Sequence, residues 1–328
     1  MNNRRKLVIA LGASALVAPL ASIAQQQGKI WRIGYLTGRK GRPDPTFDAV
    51  LQGLRELGYV EGKNIQVEYR GGGGTTESAA SIVAELVQLN VDVIVSPTHA
   101  TIVAALQATR TIPVVGVFGV DPVAAGWANS LAHPGGNLTG IARLTQELSG
   151  KRLGLLKEMM PGITRVGILW DSNDPYSAGG KKEHETAARA LKLQLHSLEV
   201  RGPNPDLEGA FRLAAKQRVH ALIILRAPLF LDRTKPITDL AIKHRLPAMY
   251  PGSEFTDAGG LISYSTNDAD SFKRAAYYVD KILKGAKPGD LPIEQPTRFD
   301  LIINMKTAKA IGIKIPNSLM QRVDKLIE

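Results

Sequence analysis

Thr98 follows Ser96 and Pro97 and precedes His99, Ala100 and Thr101, which is where a helix N-cap belongs. The free N–H groups of a first helical turn make a site for a carboxylate or a phosphate. Asp171, Ser172 and Asn173 follow an apolar run and are suited to orienting polar groups or to building a turn. Trp170, just before them, can cover a ring or fill a core. Arg226 also ends an apolar run. A buried charge without a partner is costly, so this arginine either reaches solvent or meets an anion. Arg39, Lys40 and Arg42 put positive charge in another loop, and Thr37, Gly119, Asp121, Tyr250 and Glu254 complete the candidate set.

Catalytic and metal chemistry find little support. The chain has no cysteine, which excludes disulfides, thiolate ligands and cysteine nucleophiles together. His99, His133, His184, His196, His220 and His244 are scattered without the spacing of a metal site. Residues 71–74 are four glycines between a strand pattern and a helix pattern, but no Lys-Ser/Thr follows them, so they read as a connection. No nucleophile elbow appears. The expectation is a binding protein with no cofactor, no metal and no enzymatic activity.

These residues are positioned by a regular alternation of β-branched runs and amphipathic helical patterns, the signature of βαβ units and a parallel sheet. Strands are expected at 30–36, 64–69, 91–96 and 113–118. Asp44 caps and Pro45 opens the first crossover helix. The pattern then restarts, with strands at 165–170, 194–200, 219–225 and 247–250 and helices at 183–190, 207–217 and 234–244. Two successive α/β sets imply two lobes rather than one sheet, because single cores stop growing at about 250–300 residues. Extended runs at 137–143, 261–265 and 299–304 carry the chain between them. The expected N-terminal lobe is 29–142 plus about 264–297, and the C-terminal lobe is 143–263 plus about 298–328. In open parallel sheets small molecules lie beyond the carboxyl ends of the strands, and this rule selects the loops that hold the candidates above.

Asp121-Pro-Val-Ala-Ala-Gly126, His133-Pro-Gly-Gly-Asn-Leu-Thr-Gly140, Gly150-Lys-Arg-Leu and Leu155-Leu-Lys-Glu resemble the TrpX-like solute-binding subunits of ABC importers. So do Tyr278-Val-Asp-Lys-Ile-Leu-Lys-Gly-Ala-Lys-Pro288, Leu291-Pro-Ile-Glu-Gln-Pro296 and Asn304-Met-Lys-Thr-Ala-Lys-Ala310. The resemblance implies a type I periplasmic-binding fold of two doubly wound parallel-sheet lobes with three crossover strands, a small solute between the lobes, and permease and ATPase subunits as partners. It also implies, for amino-acid-binding members, an aspartate-containing turn near Arg226 to take an ammonium group. This chain has Arg226-Ala-Pro there instead, so the expected solute is an anionic or aromatic carboxylate. An amino-acid receptor and a ligand sensor for a receptor kinase are the alternatives.

Residues 1–24 carry Arg4-Arg5-Lys6, an apolar run and a small-residue stretch ending Ala21-Ser22-Ile23-Ala24, the layout of a cleavable secretory leader. Its loss removes three positive and no negative charges, taking the formal charge from +11 to +8. The expectation is a monomeric periplasmic protein. Export, with no basic-aromatic strip, argues against a nucleic-acid partner.

Overall fold

The computed structural model describes residues 29–39, 41, 44–72, 76–143 and 147–328. The expected leader lies outside them, as do Lys40, Arg42 and two of the four consecutive glycines.

Two sheets form where the apolar runs are. The first has the order β2-β1-β3-β4-β5, built from β1 (Trp31–Leu36), β2 (Ile65–Arg70), β3 (Val93–Ser96), β4 (Val114–Phe118) and β5 (Leu138–Ala142). All its neighbours are parallel. Its strands bury side chains on both faces. Val93 and Val95 join Ile33 and Tyr35 on one side, while Ile94, Val114 and Phe118 join Leu36 on the other. Such two-sided burial is why parallel strands read as continuous apolar runs. Crossover helices α1 (Pro45–Glu56), α2 (Thr76–Gln88) and α3 (His99–Ala108) cover the faces. Asp44 caps α1 as expected, accepting the N–H groups of Thr46 and Phe47. Gly140 is required where β5 meets β4: its φ is +132°, and a Cβ there would stand 2.1 Å from the Gly116 carbonyl oxygen.

After β5 the chain passes to α4 (Ser149–Met159) and into the second sheet, whose order is β12-β11-β10-β9-β8-β6-β7. Its members are β6 (Arg165–Asp171), β7 (Gln194–Val200), β8 (Ala221–Ile224), β9 (Ala248–Tyr250), β10 (Ile262–Ser265), β11 (Asp300–Asn304) and β12 (Lys325–Ile327). Helices α5 (Pro175–Ala190), α6 (Leu207–Lys216), α7 (Pro228–Leu231), α8 (Thr234–Lys243) and α9 (Ser253–Asp257) connect its parallel strands. Then α10 (Asp268–Leu283) returns to the first sheet, burying Phe272, Ala275, Ala276 and Val279 against Phe47, Val50 and Leu54 of α1. Glu294 bridges Ile141 of β5 before the chain re-enters the second sheet as β11.

Two expectations are corrected. The second sheet is not wholly parallel, because β11 runs antiparallel to β10; it arrives from the other sheet rather than through a crossover helix of its own. The helix expected at 183–190 begins eight residues earlier, at Pro175, with Asp174 as its N-cap.

Candidate functional site

A cleft of about 720 Å³, mouth included, opens between the carboxyl ends of the two sets of strands. Thr37 (after β1), Thr98 and His99 (after β3) and Gly119 (after β4) line one wall. Asp174 and Tyr176 (after β6) and Arg226 to Pro228 (after β8) line the other, with Arg143 and Phe272 at the segments where the chain crosses.

The first wall is nearly uncharged. Pro97 and Thr98 are extended and lead into α3, but the Thr98 side chain makes no cap bond to the backbone. Its hydroxyl pairs instead with the Thr101 hydroxyl at 2.5 Å, which in turn meets the Ser96 hydroxyl and the Thr98 carbonyl oxygen. The three hydroxyls satisfy one another, so no side chain competes for the first-turn amides that the α3 dipole makes receptive to an anion. His99 is held neutral because burial lowers its pKa. Its ring lies 5.1 Å from Trp127 and 6.3 Å from Tyr176 on the far wall, and Trp127 stands edge-on to Phe118 at 5.8 Å. Together with Phe272, Pro228 and Leu231, these rings make most of the lining apolar.

The second wall carries buried charge. Arg226 donates to Glu254 at 3.2 Å and to Asp268 at 2.5 Å, and Arg143 donates to the other oxygen of Asp268. Burial alone would raise the pKa of Asp268, but the Arg143 and Arg226 guanidinium groups outweigh it and hold the carboxyl below its ordinary value. Glu254, more weakly paired, is pushed upward by burial. Burial opposes the charge on Arg226 too, yet the two carboxylates raise its pKa overall. Arg152 of α4 lies alongside, donating to the carbonyl oxygen of Tyr264 at 2.9 Å, and burial brings it down to about 10. Arg143 also lies over the Phe272 ring.

Asp174 is different. It is 4 % exposed, and its Oδ1 accepts the N–H of Tyr176 at 3.1 Å as the α5 cap. Its Oδ2 has no hydrogen-bond partner among the described residues. Burial raises its pKa to about 7. A buried carboxylate oxygen on a cleft wall is a receptor for a cation or a hydrogen-bond donor.

At the mouth, Arg39 faces Asp232 across the cleft at 3.3 Å. Gly38 sits so close to the opposite wall that a Cβ would come within 2.7 Å of the Pro228 ring. The two walls are in contact there.

Six candidates read from sequence line the cleft: Thr37, Arg39, Thr98, His99, Gly119 and Arg226. The other described candidates do not. Ser96 is fully buried beneath Thr101. Asp121 faces solvent and accepts Val123 and Ala124 N–H groups in a turn. Asp171 and Asn173 line a neighbouring cavity with Asp232 and Arg233, and Asp171 Oδ1 is engaged by the Asn173 N–H. Ser172 donates its backbone N–H to Val200 at the strand edge. Tyr250 is core, stacked on Phe255 at 5.1 Å. Glu254 sits behind the wall as an ion partner of Arg226. Trp170 donates to Ser197 across β6 and β7 and carries Lys181 over its ring, away from the cleft. Reading the sequence selected the loop that ends at Asp174 without singling that residue out, and it missed Tyr176, Arg143 and Asp268. The signal for Asp174 existed: Asp174-Pro175 repeats the Asp-Pro helix start of Asp44-Pro45.

Two sheets joined by several crossings, with a cleft at their strand ends, make the type I periplasmic-binding fold. Residues 43–327 match the family described as ABC transporter substrate binding protein, and the chain belongs to that family. It is 23% identical over 277 residues to a tyrosine-binding protein of Clostridioides difficile, covering 82% of this chain and 78% of that one. A conserved domain protein of Vibrio cholerae superposes with a TM-score of 0.83 at 25% identity, over 91% of this chain and all of the other. An ABC domain from Streptococcus pneumoniae in complex with L-Trp gives 0.80 at 22% identity, with the same coverage. The protein is therefore a substrate-binding protein of the ABC transporter class and not an enzyme. No helix among the described residues is long and apolar enough to cross a membrane.

Proposed function

We propose that this chain is the exported, monomeric receptor of an ABC importer, and that its solute is an α-amino acid with an aromatic or large apolar side chain. The observation that carries the reading is the unpartnered Oδ2 of Asp174, on the same cleft wall as Tyr176 and opposite the uncapped start of α3. An ammonium group meets the carboxylate, a carboxylate group meets the α3 amides, and the flat side chain packs among Phe118, Phe272 and Tyr176.

The argument from Arg226 toward a purely anionic solute loses its premise. That arginine is saturated by Glu254 and Asp268, so it neither requires an external anion nor repels an ammonium group as a bare cation. The binding of tyrosine and of L-Trp by the two relatives supports the same reading. Residues 1–24 are then a leader, and the two sheets with their helices are lobes that close on the solute. The closed form is what the permease meets. A solute shifts the open and closed populations only by its differential affinity for them, and contacts to both walls supply that difference.

A thermal-shift screen of the purified protein against the amino acids and against matched deaminated carboxylates tests the proposal. A ligand present at 100 times its Kd adds about 2.7 kcal/mol to stability, so aromatic amino acids are expected to raise Tm by several degrees. Stabilisation by the deaminated acids alone would restore the anionic-solute reading.

A further inference from the structure

A second, much smaller chamber adjoins the cleft, and Tyr176 and Arg226 belong to the lining of both. It has space for a single group about the size of a water molecule. We infer that this chamber receives a hydroxyl group at the far end of the solute, and that His184 accepts its hydrogen. The inference rests on the amino-acid reading above and deepens it.

His184 lies on α5, the helix that Asp174 caps, and is 2 % exposed. Its Nδ1 stands 2.7 Å from the Gly180 carbonyl oxygen. A carbonyl oxygen only accepts, so Nδ1 carries the hydrogen. Burial lowers the pKa to about 4, leaving the ring neutral and Nε2 as a bare lone pair. That nitrogen is buried with no hydrogen-bond partner among the described residues, and His184 lines the chamber. Ser177, also on the chamber wall, accepts the Asp171 N–H on its Oγ at 3.0 Å and is not a partner of His184 Nε2. Arg152, Arg226 and Tyr176 supply the rest of the polar lining.

This wall selects by hydrogen-bond sense. A carboxylate or halide would face the lone pair of Nε2. An ammonium group would bring a full charge into a buried chamber. A hydroxyl donates to Nε2 without bringing a charge into the chamber. The placement fits a solute already anchored at Asp174, because the His184 ring reaches back to the level of Gly180. That level is only about 9 Å along the helix axis from the cap, the scale of one amino-acid molecule.

Calorimetric titration of the intact protein with L-phenylalanine and L-tyrosine, which differ by one hydroxyl, tests the inference. Wild type is expected to favour tyrosine by roughly ten- to a hundred-fold, the effect of leaving a buried polar group unmatched. His184→Leu should bring the ratio close to one while phenylalanine binds as before. His184→Gln, which keeps an acceptor, should retain part of the preference and serves if the leucine variant folds poorly. A wild-type ratio near or below one would mean that the chamber holds water rather than the solute, and would overturn the inference. So would a tyrosine preference unchanged in His184→Leu. Failure of both amino acids to bind wild type would overturn the amino-acid reading and this inference with it, whereas equal binding of the two overturns only this one.

Discussion

The two walls of the cleft are built from equivalent places in two similar sheets, yet they work by different means. The first presents hydroxyls that satisfy one another, an uncapped helix start and aromatic faces. The second presents buried ions: Arg226 with Glu254 and Asp268, and Asp174 with a single backbone partner on Oδ1. Backbone amides carry partial charge at little desolvation cost, so an anion site made of them needs no counter-ion in the unliganded protein. Full charges do need one. Arg143 and Arg226 share Asp268, and that pairing ties the loop after β8 of the second sheet to the start of α10, which packs on the first. In the proposed reading one wall takes the solute's carboxylate, while the other both anchors the crossing segments and offers the Asp174 carboxylate.

The largest expected effect comes from breaking the ionic side. Asp268→Asn leaves Arg143 and Arg226 without their shared charge, and removing one partner of a buried pair costs about 3–5 kcal/mol. Denaturant unfolding should show that loss, and the corresponding loss of hydroxyls on the first wall, Thr98→Ala, should show less than 1 kcal/mol because the side chain caps nothing. Next in size is Asp174→Asn. Asparagine caps helices as well as aspartate does, so the fold is kept while affinity for an ammonium-bearing solute falls roughly ten- to a hundred-fold.

The same residue gives folding stability and solute binding opposite pH signatures. Burial raises the folded pKa of Asp174 to about 7, against an unfolded value of about 3.9. The folded protein therefore binds more protons than the unfolded chain between those values. Its contribution to stability is fully present below about pH 4 and is lost as pH rises through about 7. Binding of an ammonium solute runs the other way and strengthens as the carboxylate ionises. Unfolding curves and titrations at pH 5.5 and pH 8 should show the crossing trends in wild type and flatten in Asp174→Asn. The smallest effect belongs to the mouth, where the two walls meet through Arg39 and Asp232. Arg39→Ala should change stability by under 1 kcal/mol and act chiefly on solute dissociation, measurable by stopped-flow fluorescence.

The central strands β1, β3, β4, β6, β8 and β9 were readable from the chain because parallel strands buried on two faces are apolar along most of their length. The short, exposed edge strand β12 was not. The first wall was partly readable because Thr37, Thr98, His99 and Gly119 follow their strand ends closely and line the cleft there. In the second wall the loops turn before they reach it. Residues 171–173 fold into a neighbouring cavity, and Tyr250 drops into the core against Phe255. Asp174 was not singled out because the start of α5 reads Ser177-Ala-Gly-Gly-Lys-Lys182, whose two glycines and missing apolar stripe hide a helix. Arg226 was correctly marked as a charge in need of a partner. The partners, Glu254 and Asp268, are 28 and 42 residues away, and no local pattern connects them.

The central claim is that Asp174 holds the solute's ammonium group while the α3 amides hold its carboxylate. Calorimetry at pH 8 with L-phenylalanine, 3-phenylpropanoate and phenethylamine, on wild type and Asp174→Asn, tests it most directly. The account predicts that wild type binds the amino acid at least about tenfold more tightly than either analogue, and that Asp174→Asn binds it no better than 3-phenylpropanoate. Wild-type binding of 3-phenylpropanoate as tight as that of phenylalanine, unchanged in the variant, would contradict it.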